Sequence, residues 1–287
     1  MSATAAQNRH FPTGLFRGFG KGLNVNLHSP AHQLRDGPVA LLGNPFELVE
    51  MWLGELNLGS KHDVNTTSPT TCHQSRRCGW GYRERLIREE ITSLESISDL
   101  GKLELLVLSL PDRVGSPLSL NALREDLQVS HQTVARWTDI LERVYGIFRI
   151  APFGAAKLRA VKKERKHYHY DWSVVTNPGA RFENLVASHL LKWVEFQIDT
   201  EGRPLELRYF RDTDGREVDF VVTENAKAIA LVECKLGDDT VSPGLKYMKA
   251  RFPEAQAWQV SATGTRDFVD AQGIRVAPAV TLLRQLA

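Results

Sequence analysis

Residues 216–236 read REVDFVVTENAKAIALVECKL, and this stretch decides the fold of the C-terminal part of the chain. It contains two runs rich in β-branched and apolar residues, Arg216 to Thr223 and Ala228 to Leu236, with the polar residues Glu224 to Lys227 between them. Such runs, bounded by turn residues, predict two adjacent β-strands. The nearly unbroken apolar residues of the second run indicate that its strand is buried.

Charged residues interrupt both predicted strands where burial is expected. Side chains alternate along a strand, so Glu233 and Lys235 project to one face while Cys234 points to the other. Asp219, on the neighbouring strand, is flanked by apolar residues. A buried charge is costly unless it is paired or binds an ion. Two carboxylates about 4 Å apart would repel by roughly 4 kcal/mol at an effective dielectric constant near 20, which is enough to raise one pKa or to bind a cation.

These charges predict a metal site for phosphodiester hydrolysis. Asp219 and Glu233 are the candidate ligands of Mg²⁺, with Mn²⁺ as a second option, because these ions bind carboxylate oxygens. Lys235 would orient the attacking water or neutralise the pentacovalent phosphate, and Glu183 would reach in from the preceding helix. The candidate catalytic residues are therefore Glu183, Asp219, Glu233 and Lys235. The alternative is a buried ion pair between Lys235 and its two acids, in a scaffold that cleaves nothing.

The elements around these two strands predict an α/β domain over residues 177–287. They are a helix from Asn177, strands at Leu205 to Arg211, Arg216 to Thr223 and Ala228 to Leu236, a helix at Ser242 to Phe252, a strand at Gln256 to Val260 and a final helix at Pro278 to Leu286. The α-β-β-β-α-β order matches the PD-(D/E)XK nuclease core, so we expect a restriction-endonuclease-like domain. Gln259 is either a further site residue or a polar strand residue near a sheet edge.

Residues 80–176 predict a helical linker followed by a winged-helix domain. Apolar residues recur at three- and four-residue steps from Tyr82 to Leu110, and two further helices flank the turn Gln128-Val129-Ser130. The outer face of the second of these helices carries His131, Gln132, Thr133 and Arg136. All four side chains can hydrogen-bond phosphates or base edges, which favours DNA contact. The same residues could equally form a solvated face.

A basic hairpin follows the helices. Phe148 and Ile150 predict its first strand, and His167 to Tyr170 predict its second. The cations of the hairpin are Lys157, Arg159, Lys162, Lys163, Arg165 and Lys166, against the single acid Glu164. Counterion release favours the binding of such a segment to a polyanion. We therefore assign Lys162, Lys163 and Lys166 as candidate DNA contacts, with an exposed, solvated hairpin as the alternative.

Residues 1–79 are rich in Gly, Pro, Ser, Thr, Asn and His, and we expect a poorly ordered or truncated N-terminal segment. Gly20 and Lys21 invite comparison with a phosphate-binding loop. Leu15 stands where that loop needs glycine, and Gly22 stands where it needs a hydroxyl residue. We therefore expect no nucleotide cofactor and no ATPase activity. The nearby Cys72, Cys78, His62 and His73 match no common zinc spacing, which favours chance clustering.

The overall composition is that of a globular protein that folds in water, with 24% charged and 42% hydrophobic residues. A formal net charge of +2 is too small to imply a nucleic-acid partner by itself. No stretch approaches the roughly 20 apolar residues that cross a bilayer, and the N-terminus lacks a secretion signal. The three cysteines fit a reducing compartment. We therefore expect a cytoplasmic protein that does not bind membranes.

From Trp80 to Ala287 the chain resembles prokaryotic AAA-type ATPases whose C-terminal half is the domain of unknown function numbered 4143. The residues that carry the resemblance are Tyr82-Arg83-Glu84-Arg85-Leu86-Ile87-Arg88-Glu89, the helix pair from Ser119 to Trp137, Lys166-His167-Tyr168 to Asp171, Phe182-Glu183-Asn184, Glu217-Val218-Asp219-Phe220 and Glu233-Cys234-Lys235. The order and spacing of these segments make the resemblance specific.

The resemblance implies a winged helix and a nuclease-like C-terminal domain, which in that family follow an N-terminal ATPase. The first 79 residues here offer neither the phosphate loop nor the strand and paired acids of the ATPase, so its activity does not transfer. The leading hypothesis is a DNA-directed, Mg²⁺-dependent phosphodiesterase. The alternative is a non-catalytic module that binds DNA or another partner.

Overall fold

The computed structural model describes residues 99–154 and 165–286, which form a mixed α/β structure around one sheet. Its helices are α1 Leu100–Ser109, α2 Leu120–Leu127, α3 His131–Arg143, α4 Pro178–Glu201, α5 Pro243–Arg251 and α6 Ala279–Leu286. Its strands are β1 Ile147–Pro152, β2 Lys166–His169, β3 Leu205–Arg211, β4 Glu217–Glu224, β5 Lys227–Lys235, β6 Gln256–Ser261, β7 Phe268–Val269 and β8 Ile274–Pro278. The strand order across the sheet is β2-β1-β3-β4-β5-β6-β8-β7.

The first three helices of the described ranges, α1 to α3, begin at side chains that cap free backbone amides. Asp99 accepts a hydrogen bond from Lys102 N, Ser119 accepts one from Ala122 N, and Ser130 accepts one from Thr133 N. Each cap satisfies an amide that has no partner within its own helix. Helix α2 ends at Leu127, and the C-cap residue Gln128 takes the left-handed conformation with φ of 52°. The predicted helix pair and the turn between its members are thus confirmed.

The hairpin β1–β2 joins the C-terminal sheet. Strand β1 pairs antiparallel with β2 and parallel with β3. Phe148 and Tyr168 of the hairpin lie in the same apolar cluster as Phe182 of α4. The sheet therefore crosses the expected boundary between residues 176 and 177, because the apolar side chains of the hairpin are buried against α4.

Helices cover the two faces of the sheet. Val232 belongs to the apolar cluster that contains α4 and α6, whereas its neighbour Leu231 packs with Leu245 and Met248 of α5. Successive strand residues point to opposite faces, so α4 and α5 lie on opposite sides of the sheet. No helix within the two described ranges is long and apolar enough to span a membrane.

The predicted element order from Asn177 onward is confirmed as far as β6, with strand and helix ends shifted by one residue at most. The sequence analysis missed β7 and β8. Strand β8 has only five residues, and Arg275 interrupts its apolar pattern. Its guanidinium lies over the Trp258 ring, 4.9 Å from the centroid, and pairs with Asp267. This cation is thus accommodated by partners that local periodicity cannot reveal.

Helix α5 approaches β4 closely at Gly244, where a Cβ atom would lie 2.0 Å from the carbonyl oxygen of Glu217. Only glycine allows this approach, and it fixes the strand segment that leads into Asp219 against the start of α5.

We expect Gly244→Ala to destabilise the protein by about 1–3 kcal/mol or more, because the added methyl group must displace backbone. Gly101→Ala is the matched control, since Gly101 occupies the same position in the first turn of α1 and a Cβ there meets nothing within 4 Å. The control should be neutral or stabilise by up to about 1 kcal/mol. Urea unfolding of both variants measures the difference, and an equally stable Gly244→Ala protein would contradict the close approach.

Candidate functional site

The side chain of Lys166 is surrounded by three carboxylates. Its Nζ lies 2.6 Å from Glu217 Oε1, 3.3 Å from Glu183 Oε1 and 3.7 Å from Asp219 Oδ1. The lysine side chain is only 1% exposed. A buried ammonium is stable only where anions or hydrogen-bond acceptors replace its water. Two elements supply these acids around the start of β2, namely α4 for Glu183 and β4 for Glu217 and Asp219.

The two faces of strand β2 have different partners. Lys166 and Tyr168 point toward the acids, and the Tyr168 hydroxyl donates a 2.7 Å hydrogen bond to Glu183 Oε1. His167, on the other face, lies with Nε2 2.9 Å from the carbonyl oxygen of Leu110, just beyond α1. Burial lowers the pKa of His167 to about 4, so the ring is neutral at physiological pH. One short strand thus contacts both the helical region and the carboxylates.

The loop between α1 and α2 also reaches the site. Pro117 forms a β-bridge with Lys166. Gly115, with φ of +83°, lies so close to Glu183 that a Cβ would be 2.8 Å from its Oε2 atom. The loop therefore packs directly against the Glu183 carboxylate and restricts its movement.

A second group of charges adjoins the first at the end of β5. The pairing of Phe220 with Val232 brings the start of β4 beside the end of β5, and Asp219 Oδ2 accepts a 2.9 Å hydrogen bond from Cys234 N. Lys235 Nζ donates a 2.8 Å hydrogen bond to Glu233 Oε1. The other oxygen, Glu233 Oε2, is buried and has no hydrogen-bond partner among the described residues.

Burial makes two of these carboxyls weak acids. It raises the pKa of Asp219 to about 7, and the charge of Glu183 acts in the same direction. Burial and the charge of Asp219 raise the pKa of Glu233 to about 7. Burial alone would lower the pKa of Lys166, but the charges of Glu183, Asp219 and Glu217 outweigh it and raise that pKa above its ordinary value.

The charges of this carboxylate cluster do not balance. We define the cluster as Glu183, Glu217, Asp219 and Glu233 with the two ammonium groups of Lys166 and Lys235. With every group ionised, two negative charges remain uncompensated. Two protons or one divalent cation would neutralise them. The raised pKa values of Asp219 and Glu233 mean that, without a cation, these two carboxyls take up protons most readily.

The structure brings together the four predicted catalytic residues and adds three that sequence reasoning missed. Glu183, Asp219, Glu233 and Lys235 all belong to the cluster, whereas Glu217, Tyr168 and the role of Lys166 were not predicted. Glu217 lies two residues before Asp219, a same-face spacing that could have pointed to it. Lys166 and Tyr168 show the same spacing on β2.

The assignment of Lys166 as a DNA contact was wrong. Its ammonium is buried among carboxylates and cannot meet a phosphate at the surface. The alternative interpretation, an ion pair between Lys235 and both acids, also needs correction. Lys235 pairs with Glu233, while the ammonium within 4 Å of Asp219 is that of Lys166. The local sequence showed that cations lie close to the acids along the chain. Which acid each cation pairs with depends on the tertiary fold.

Gln259 has a structural role. It lies on β6, an interior strand, and is 1% exposed. Its amide oxygen accepts a hydrogen bond from Ser242 N, and its nitrogen donates to the carbonyl oxygens of Asp239 and Thr240. It therefore fixes the loop that follows Lys235, and the interpretation as a residue near a sheet edge was wrong.

The candidate DNA-contacting residues of α3 lie at its N-terminal end. His131, Gln132 and Arg136 are at least partly exposed, while Thr133 is half-buried and its hydroxyl lies 2.8 Å from that of Ser130. Lys162 and Lys163 lie outside the described residues, as does the glycine-rich N-terminal segment.

No group of three or more histidine, cysteine, aspartate or glutamate side chains in the described ranges is arranged to hold a metal ion. The three acids nearest to such an arrangement, Glu183, Glu217 and Asp219, surround the Lys166 ammonium instead.

Two family models match consecutive parts of the chain, and they meet beside the helix that carries Glu183. Residues 178–282 match the domain of unknown function DUF4143. Residues 70–178 match the domain of unknown function DUF8612. The first match confirms the part of the resemblance that concerns the domain numbered 4143, over residues 178–282. Neither a curated protein nor a solved structure matches the chain significantly.

We expect Asp219→Asn to stabilise the metal-free protein at pH 8 by on the order of 1–3 kcal/mol, because it removes a charge that the buried site disfavours. The folded-state pKa of about 7 lies above the unfolded value. The folded protein therefore binds the extra proton, and this group's contribution to stability rises as the pH falls from about 7 toward about 4. The advantage of the variant should shrink accordingly at pH 5.

Urea unfolding in EDTA at both pH values measures this effect, with the exposed Asp112→Asn as control. Loss of stability in Asp219→Asn at pH 8 would instead show that the carboxylate is needed to compensate Lys166.

Proposed function

We propose that the carboxylate cluster is a divalent-metal-dependent site for phosphodiester hydrolysis, in a protein that holds DNA through its helical region. The observation that carries the proposal is the buried, unpartnered Oε2 atom of Glu233 beside Asp219. A buried carboxylate oxygen without a partner costs free energy unless a proton or a cation satisfies it.

The residues fit Mg²⁺ or Mn²⁺ in donor type and in charge. Asp219 and Glu233 supply oxygen ligands, and the cluster has a deficit of two charges. Mg²⁺ commonly binds through one or two carboxylates and keeps several waters, so it does not require a group of three protein ligands. A bound ion would polarise a phosphoryl oxygen and lower the pKa of its water.

The remaining residues of the cluster position these groups. Lys235 is partly exposed, with 32% of its side chain accessible, and Glu233 fixes its ammonium. This ammonium can neutralise charge that develops on a phosphate oxygen in the transition state. Tyr168 and Lys166 hold Glu183 by hydrogen bonds, so its carboxylate stays directed into the cluster.

Element order and surface chemistry support nucleic acid as the substrate. The order of α4, β3, β4, β5, α5 and β6 agrees with the restriction-endonuclease-like core, on which Asp219 and the pair Glu233 and Lys235 occupy consecutive strands. Helices α1 to α3 followed by the hairpin β1–β2 have the order of a winged helix. His131, Gln132 and Arg136 would then face the DNA.

A non-catalytic scaffold is the second candidate, and the burial of Lys166 favours it. A lysine fixed among three acids compensates charge without any metal, as a structural ion-pair network does. In that case the protein would bind DNA or a partner and cleave neither DNA nor RNA. The effect of added metal on the melting temperature and on cleavage distinguishes the two functions.

We expect Mn²⁺ or Mg²⁺ to raise the melting temperature of the wild type and to support cleavage of DNA, because binding to the folded state stabilises it. The double variant Asp219→Asn/Glu233→Gln should lose both responses. Lys235→Ala should keep the thermal response and lose cleavage by about 100-fold or more, since its ammonium serves the transition state. Asp112→Asn is the control. A wild type that neither responds to Mn²⁺ nor cleaves single- or double-stranded DNA or RNA would leave only the scaffold.

We expect Lys162→Glu/Lys163→Glu to weaken the binding of duplex DNA and to reduce its salt dependence, with the slope falling by about one for each phosphate that is no longer neutralised. The control is Lys192→Glu/Lys227→Glu, which makes the same charge change at exposed positions on α4 and at the far end of β5 from Lys235. Fluorescence anisotropy across a salt series compares the two. Equal affinities for both double variants would refute the assignment of the basic hairpin to DNA.

A further inference from the structure

Lys166 differs from Lys235, the other cation of the cluster, in how firmly it is held. Its backbone pairs with Ile150 and forms a bridge with Pro117, so neighbouring backbone fixes it on both sides. Its Nζ lies 5.5 Å from the centroid of the Tyr209 ring. With 1% exposure, the side chain has no path into solvent without movement of the surrounding structure.

We infer that Lys166 is a resident cation that occupies the place of a second divalent ion, so that the cluster binds one ion and not two. The part of this inference that concerns Lys166 stands on its own, and the part that concerns a single bound ion rests on the proposed function.

The three carboxylates around Lys166 have the donor type of a hard-cation site. Glu183 comes from a helix, and Glu217 and Asp219 come from the neighbouring β4, so their oxygens approach one point from different directions. Carboxylates that converge in this way need a positive charge or a proton between them, because their mutual repulsion is otherwise uncompensated. The ammonium is that charge, and it leaves no room at this point for Mg²⁺ with its ligands at roughly 2.0–2.1 Å.

Charge limits the number of ions that can be added. With Lys166 present, the ionised cluster lacks two positive charges, which one divalent ion supplies. A second ion would leave an excess of two positive charges in a buried site, which is as unfavourable as the original deficit. Without Lys166 the deficit is three, and the vacated carboxylates face one another.

This arrangement makes Lys166 a positioning residue. It holds Glu183 and Glu217 in place at any metal concentration, so the geometry of the site does not depend on the binding of a first ion. The response to metal should therefore follow a single-site curve without cooperativity.

The test counts bound Mn²⁺ per chain in the full-length protein, from the paramagnetic resonance signal of the free ion, for the wild type, Lys166→Met, Asp219→Asn/Glu233→Gln and Lys102→Met. Lys102 is the matched control, because its ammonium pairs with Asp99 and with the carbonyl oxygen of Gln128, outside the cluster. Differences between variants are compared, so that ions bound elsewhere on the chain cancel.

We expect Lys166→Met to bind one Mn²⁺ more than the wild type, and Lys102→Met to bind the same number as the wild type. In EDTA the melting temperature of Lys166→Met should fall well below that of Lys102→Met, and saturating Mn²⁺ should restore most of the loss. An unchanged count in a folded Lys166→Met protein would overturn the inference.

The two hypotheses fail in different ways. If Lys166→Met binds one ion more than the wild type but Asp219→Asn/Glu233→Gln binds no fewer, the inference about Lys166 is supported and the proposed metal site is refuted. If the double variant loses one ion but Lys166→Met gains none, the metal site stands and the resident cation does not. Should Lys166→Met fold only in Mn²⁺, that dependence supports the inference. Failure of both Lys166→Met and Lys166→Gln to fold in saturating Mn²⁺ contradicts it.

Discussion

The contact between the Lys166 ammonium and its three carboxylates is the constraint on which the rest of the site depends. It joins β2, α4 and β4 at one point inside the protein. A buried ammonium in this position needs carboxylates close to it, and carboxylates that lie this close together need the ammonium between them. Asp219 connects this contact to Glu233 and Lys235, because its second oxygen accepts a hydrogen bond from Cys234 N at the end of β5.

Much of the fold was predictable because the C-terminal pattern is locally consistent. Strand β3 alternates apolar and polar residues, β5 is an almost unbroken apolar run, and turn residues separate the strands from Leu205 to Lys235. Helix α4 begins at an asparagine cap followed by proline. Glu183 could be identified from its place near the start of the preceding helix. Asp219, Glu233 and Lys235 could be identified because each places a charge on an otherwise apolar strand. At such positions the local sequence already predicts that a charged side chain will be buried.

What was missed depends on contacts between distant parts of the chain. Lys166 stands in a run of cations, so the composition of that run predicted a side chain in contact with solvent or DNA. The side chain is buried among acids because α4 and β4 pack against the start of β2. The continuity of the sheet through β1 and β3 is likewise non-local, because parallel pairing has no turn to mark it. Strand β8 was missed because its Arg275 is stabilised by Trp258 and Asp267.

The two family models meet at residue 178, between the lysine and the acids that surround it. The cluster therefore takes its buried cation from one side of that junction and its carboxylates from the other. Exchange of the C-terminal part between genes at this point would deliver the acids without the lysine matched to them. The charges around the exchanged acids would be compensated only where the N-terminal part that receives them carries a lysine at the same place on its hairpin.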